Sequence, residues 1–230
     1  MTADPDELHA EPRDGRSTRW DPHRRERRQL IIDAAIAAIE QHGPDVLTAQ
    51  IAEQAGVPRT HVYRHFDGKR ALDLAVSAHI GNEIGVRIRA GLAVGGSARV
   101  IIGAAIDQHL GWVEEHPNLY RFVAQHAYAV RSRDSDGAVD AKATFAAEIT
   151  ALVQKYARAL GVDTTRTERV IVGVVGLVDA TAAWWLEQQL PLPRAELTAE
   201  LTEHVWLLIG SSMRDLGLDL DPDVALPDLP

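Results

Sequence analysis

Apolar residues in this chain recur three and four positions apart almost from end to end, a spacing that belongs to helices. Alternating runs rich in Val, Thr and aromatic rings are absent, so no strand is expected. Glycine and proline punctuate the pattern. A first helix is expected from about Arg24 to His42, with Ile32, Ala35 and Ile39 on one face and Gly43-Pro44 ending it. Two short helices follow, Thr48 to Ala55 with Thr48 as N-cap and Arg59 to Phe66, separated by a turn at Gly56. A fourth starts near Lys69 and runs to about Gly91. Beyond Gly95-Gly96-Ser97, helices are expected at Ala98 to Glu115, Asn118 to Ala129, about Val139 to Leu160, Thr167 to Gln189 and Arg194 to Leu216. The expected fold is all-α, a three-helix helix-turn-helix head followed by a helical bundle. Its divisions are a loosely ordered arm over 1–23, the head over 24–70, the bundle over 71–216 and an irregular tail over 217–230.

Length and composition narrow the function classes. At 230 residues, 46% hydrophobic and 25% charged, the chain can bury a core and has the balance of a globular protein. The apolar stretch from Val170 to Leu186 is interrupted by Asp179 and falls short of the ~20 residues of a spanning helix, so no membrane partner is expected. Met1 to Arg19 lacks the apolar core of a secretory signal. With no cysteine there is no disulfide, thiolate zinc site or thiol nucleophile, which fits a cytoplasmic location. A Gly-x-Ser-x-Gly elbow is also absent, and neither catalysis nor a cofactor is expected.

The net charge of −9 hides one basic segment. Residues 16–70 carry ten Lys and Arg against seven Asp and Glu, or +3, while 1–15 stand at −4 and 71–230 at −8. Arg24, Arg25, Arg27 and Arg28 fall within five residues, and Arg59, Arg64, Lys69 and Arg70 follow. Phosphate attraction acts over about a Debye length, so the local excess matters more than the total. Around it, Ala52 and Ala55 are small where two helices must cross, Gly56 allows a turn, and Val57, Val62 and Phe66 can fill a miniature core. The remaining face of the third helix, Arg59, Thr60, His61, Tyr63, Arg64 and His65, is polar and cationic. His61 and His65 are four apart, but no third ligand neighbours them and no metal is expected.

The run from Ile51 to Leu72, with Ile51-Ala52, Ala55-Gly56-Val57, Tyr63, His65-Phe66, Lys69 and Leu72 in register, closely resembles the signature of the TetR (tetracycline repressor) family of transcriptional regulators. It departs at Pro58, where that family commonly has a capping serine. The resemblance implies a recognition helix in the major groove of double-stranded operator DNA, with Arg59 able to pair with guanine and Thr60 or His61 able to read a base edge. Tyr63, His65, Lys69 and Thr48 then suit phosphates, Arg64 adds charge, and Arg24 to Arg28 are either backbone contacts or a solvated helix start.

Farther along, the helix from Thr167 is apolar almost all round, and the last helix carries a wide apolar face. The pair resembles the family's four-helix dimer interface, for which Val175, Leu197, Leu201, Val205 and Leu208 are the candidates, and a homodimer would match a palindromic operator. Trp112, Tyr120, Phe122, Phe145 and Trp184 are candidates to line a cavity for a small, largely apolar effector that releases the protein from DNA. Two other classes remain open: an effector-independent DNA-binding protein, and a helical-bundle enzyme or carrier.

Overall fold

The structure, a computed structural model, describes residues 17–130, 150, 154, 167–188, 192–215 and 217–226. Among these, eight helices form: α1 Ser17–His42, α2 Thr48–Gln54, α3 Arg59–His65, α4 Gly68–Leu92, α5 Ala98–Glu115, α6 Pro117–Val130, α7 Thr167–Leu186 and α8 Arg194–Asp215. The described residues contain no strand, only one isolated bridge between Ser97 and Ala225. The helix expected over 139–160 lies outside the described residues apart from Thr150 and Gln154, both helical.

Helix α1 begins at Ser17 rather than near Arg24, so seven residues expected in a loose arm are helical. Pro22 is the sixth residue of α1, past the first turn, so its missing N–H leaves one intrahelical hydrogen bond unmade in this opening stretch. At α2 the N-cap is Leu47 and not Thr48. Gln50 accepts the Leu47 amide at 2.8 Å, which satisfies the helix start and leaves the Thr48 hydroxyl for another partner. Pro58 caps α3 with extended backbone (φ −60°, ψ 143°), and the His61 amide donates to its carbonyl at 2.8 Å. Helix α3 therefore starts at Arg59 without a serine. Between the two, Gly56 sits at φ +63°, a left-handed turn that disfavours side chains.

Ile31, Ile32, Ala35, Ala38 and Ile39 of α1 enclose the head's core with Ile51, Ala52, Val62 and Phe66. Leu72, Val76 and Ile80, one helical turn apart on α4, extend that core without a break into the bundle. There α5 lies centrally, packed against α4 on one side and α8 on the other. A close α4–α5 approach requires Gly91, since a Cβ there would lie 2.7 Å from Ala105 Cα.

After α8 the chain turns at Gly217 and crosses to the α4–α5 corner. The Arg99 amide donates to Pro222 O at 3.1 Å, the Leu226 amide to Gly96 O at 3.0 Å, and Arg99 pairs with Asp223 at 2.8 Å and with Glu203. Residues 217–226 are non-helical, as composition implied, but they are fastened: Pro222 satisfies one of the orphan amides that open α5.

Candidate nucleic-acid interface

Helix α3 turns Val62 and the following Phe66 into the core and leaves Arg59, Thr60, Tyr63 and Arg64 exposed, with His61 and His65 half-buried. Arg59 Nη2 donates to Tyr63 Oη at 3.1 Å, and its guanidinium lies 5.6 Å from the Tyr63 ring centre. Tyr63 in turn donates to Thr48 Oγ1 at 3.5 Å. Those hydrogen bonds, Thr48 first and then Arg59, hold the Tyr63 hydroxyl below the ordinary tyrosine value. Thr48 is itself buried, so its side chain braces Tyr63 from within instead of facing solvent. The exposed face combines a fixed arginine with small and imidazole donors, groups able to read base edges and phosphates.

Two arrangements were not apparent from residue type alone. Arg28 stacks its guanidinium 4.5 Å from the Phe66 ring centre, which brings the α1 arginine run beside the end of α3. Lys69 turns toward the bundle: its Nζ meets Asp73 Oδ1 at 2.5 Å and stands 5.9 Å from the Phe122 ring centre. Asp73 is buried and also faces His126 Nε2 of α6 at 3.5 Å, while His126 Nδ1 lies 2.8 Å from Phe122 O. Both imidazole nitrogens thus face acceptors, an arrangement served by the doubly protonated ring, and Asp73 raises the His126 pKa. The i, i+4 spacing of Lys69 and Asp73 is a sequence signal; the arrival of His126 is a tertiary one. Farther along the same junction, His116 Nδ1 meets Glu40 Oε1 of α1 at 2.6 Å and Asn118 donates to Glu40 O at 2.9 Å.

Family models match both parts of the chain: bacterial regulatory proteins of the tetR family over residues 31–76, and the tetracyclin repressor-like C-terminal domain over residues 87–217. The chain belongs to the TetR family. Relatives include the uncharacterized HTH-type transcriptional regulator Rv0472c of Mycobacterium tuberculosis, 27% identical over 201 residues that cover 87% of this chain and 82% of that protein. A tetR-family transcriptional regulator from Streptomyces coelicolor shares the fold with a TM-score of 0.65 at 25% identity, covering 84% of this chain and 86% of that one. FadR from Bacillus subtilis, solved in complex with stearoyl-CoA, shares it at a TM-score of 0.58 and 17% identity over 77% of this chain and 96% of its own. This chain is accordingly a DNA-binding transcriptional regulator, with its helix-turn-helix in α2 and α3.

In this TetR-family bundle Trp112, Tyr120 and Phe122 are buried, as a cavity lining would require, but their polar atoms are engaged. Trp112 Nε1 donates to Glu83 at 3.3 Å, and Tyr120 Oη donates to Asp179 O at 2.8 Å and lies 3.1 Å from Asp179 Oδ1. Burial, and then the Asp179 carboxylate, push the Tyr120 pKa up. Phe145 lies outside the described residues. Trp184 stands apart from the group, 57% exposed, while its neighbour Trp185 is buried and donates to Leu192 O at 2.7 Å. Adjacent helical residues point about 100° apart, so only one tryptophan of the pair can face the core.

The dimer candidates divide in the same way. Leu197, Leu201 and Val205 are 2%, 2% and 3% exposed and belong to the subunit's own core, in which α8 packs against α5 and α7. Their spacing of four marks a seam within the chain. Val175 is half-buried and Leu208 is exposed. On α7 and α8 the exposed apolar residues include Val172, Gly173, Gly176 and Trp184 of α7 and Leu207 and Leu208 of α8. The expectation that the stretch from Val170 to Leu186 is too short to span is corrected by the helix itself: by length and composition alone Arg169–Leu186 is long and apolar enough to cross a membrane, and 22% of it is buried inside the chain.

Proposed function

We propose that the chain acts in the cytoplasm as a homodimeric repressor that binds a palindromic operator and is released by a small, largely apolar effector. The uncovered α7–α8 face carries this reading: an exposed tryptophan among valine, leucine and glycine is a surface that water disfavours and a second copy would cover. Two copies joined there present two α3 helices to successive major grooves, which a single seven-residue reading helix needs for specificity. An apolar effector is supported by the aromatic residues of α5 and α6 and by the stearoyl-CoA complex of FadR, a protein of the same fold. A second reading, DNA binding without an effector, is favoured by the engaged polar atoms of Trp112 and Tyr120. Native mass spectrometry of the purified protein separates the two. The repressor reading expects an apolar small molecule retained by the dimer and acyl thioesters that weaken its hold on DNA; an empty dimer whose DNA affinity no such compound changes would establish the effector-independent reading.

A further inference from the structure

His126 of α6 stands between two acceptors: its Nδ1 lies 2.8 Å from Phe122 O of its own helix, and its Nε2 lies 3.5 Å from Asp73 Oδ2 of α4. The Phe122 ring packs on the imidazole, with centres 4.3 Å apart, and keeps it in this position. Asp73 is 6% exposed and sits between Leu72 and Val76, which carry the head's core into α4. Its other oxygen meets Lys69 Nζ at 2.5 Å. The start of α6 is tied to the head separately, by His116 and Asn118 at Glu40 of α1. We propose that His126 is a proton-operated latch: its imidazolium holds α6 to the head's part of α4, and its neutral ring lets the head move against the bundle, so that DNA affinity falls as the ring loses its proton. This adds regulation by acidity to the DNA-binding assignment and depends on neither a dimer nor an effector.

Only the doubly protonated ring donates to both acceptors. A neutral ring keeps one N–H, and its other nitrogen then turns a lone pair on an acceptor. Keeping the donor to Phe122 O satisfies the ring within its own helix and breaks the contact between helices, while Asp73 retains Lys69. The charged groups facing the ring are Asp73 and Lys69, both of α4. The Asp73 hydrogen bond, joined by Phe122 O, raises the His126 pKa against burial and the Lys69 charge. The latch is therefore closed below the ordinary histidine value and opens as pH rises through the higher folded value. A head free to tilt must be ordered again when it docks, and the fraction of chains ready to bind DNA falls accordingly.

The chain has no cysteine, so spin labels at Glu53→Cys in the head and Gln108→Cys on α5, both exposed positions, report the distance between head and bundle. Electron spin resonance of labelled chains mixed with excess unlabelled protein is recorded at about pH 6 and about pH 9, on either side of a raised histidine value. The distance distribution should be narrow at the lower pH and broad at the higher. His126→Gln should be broad at both, and His126→Lys, which keeps its charge throughout, narrow at both. The same proteins are then titrated with a random-sequence DNA duplex at fixed ionic strength. Wild-type affinity should fall by up to about tenfold per pH unit per chain as the latch opens. His126→Lys should bind more tightly than wild type at the higher pH, and His126→Gln more weakly at the lower, differences that His61 and His65, present in all three, do not produce. A wild-type distribution that ignores pH, or one that broadens equally in His126→Lys, would overturn the latch. An unchanged DNA affinity beside the expected distance response would overturn its link to DNA binding.

Discussion

The Arg59 guanidinium is held in place before any base reaches it, by the Tyr63 hydroxyl that Thr48 anchors from below. A side chain ordered in advance loses less rotamer freedom on binding. Arg59→Ala should cost about 1–3 kcal/mol against the preferred DNA site and relax the preference at one base pair, as titration of a set of single-base variants would show. Equal loss on every sequence would remove Arg59 from base reading. His126 makes the opposite kind of contact, between the head and the bundle through Asp73. Its raised pKa means that the contact stabilises the fold fully below the ordinary histidine value and fades as pH rises through the folded value. His126→Gln should therefore lower the melting temperature more near pH 6 than in alkaline buffer, with ~6.5 as the unshifted reference. An equal deficit at both pH values would contradict the pairing.

The two tryptophans that end α7 give the contrast between core and surface within one helix. Trp185→Ala should destabilise the fold by about 3–5 kcal/mol by leaving a cavity, whereas Trp184→Ala should leave subunit folding nearly unchanged and weaken association of two copies. Denaturant unfolding and concentration-dependent sedimentation separate these effects; similar unfolding losses for both would contradict the outward placement of Trp184. The helices themselves were largely legible in the sequence. Ser97 and Pro117 mark both ends of α5, and its expected bounds coincide with those observed. What periodicity reveals is a stripe, not the stripe's partner. Leu197, Leu201 and Val205 form an apolar face on paper, and only tertiary packing shows that they join the subunit's own core, where α8 meets α5 and α7. Lys69 reads in the sequence as suited to a phosphate; in the structure its Nζ meets Asp73, and the His126 that also converges on Asp73 arrives only through tertiary packing. The fastening of residues 217–226 depends on backbone groups at Gly96 and Arg99, more than a hundred residues away, which composition cannot reveal.

Head and bundle share one continuous core through α4, and polar contacts at Glu40–His116 and Asp73–His126 tie them together. A change in the bundle can thus bias the position of α3, and by linkage a ligand that prefers one arrangement of the bundle and DNA that prefers another oppose each other. In the proposed dimer, the outward faces of α7 and α8 would fix the distance between two reading heads. Replacing Leu208 with Glu would place a charge in that apolar contact, and sedimentation should show monomers with DNA affinity reduced accordingly. The most direct measurement is selection of binding sites by the wild-type protein from a pool of random duplexes. Two copies related by a two-fold axis should enrich palindromic sites with half-site centres one helical turn, about 10 bp, or a multiple of it apart. Enrichment of single, unpaired half-sites, or of no sequence at all, would contradict the proposed dimeric regulator.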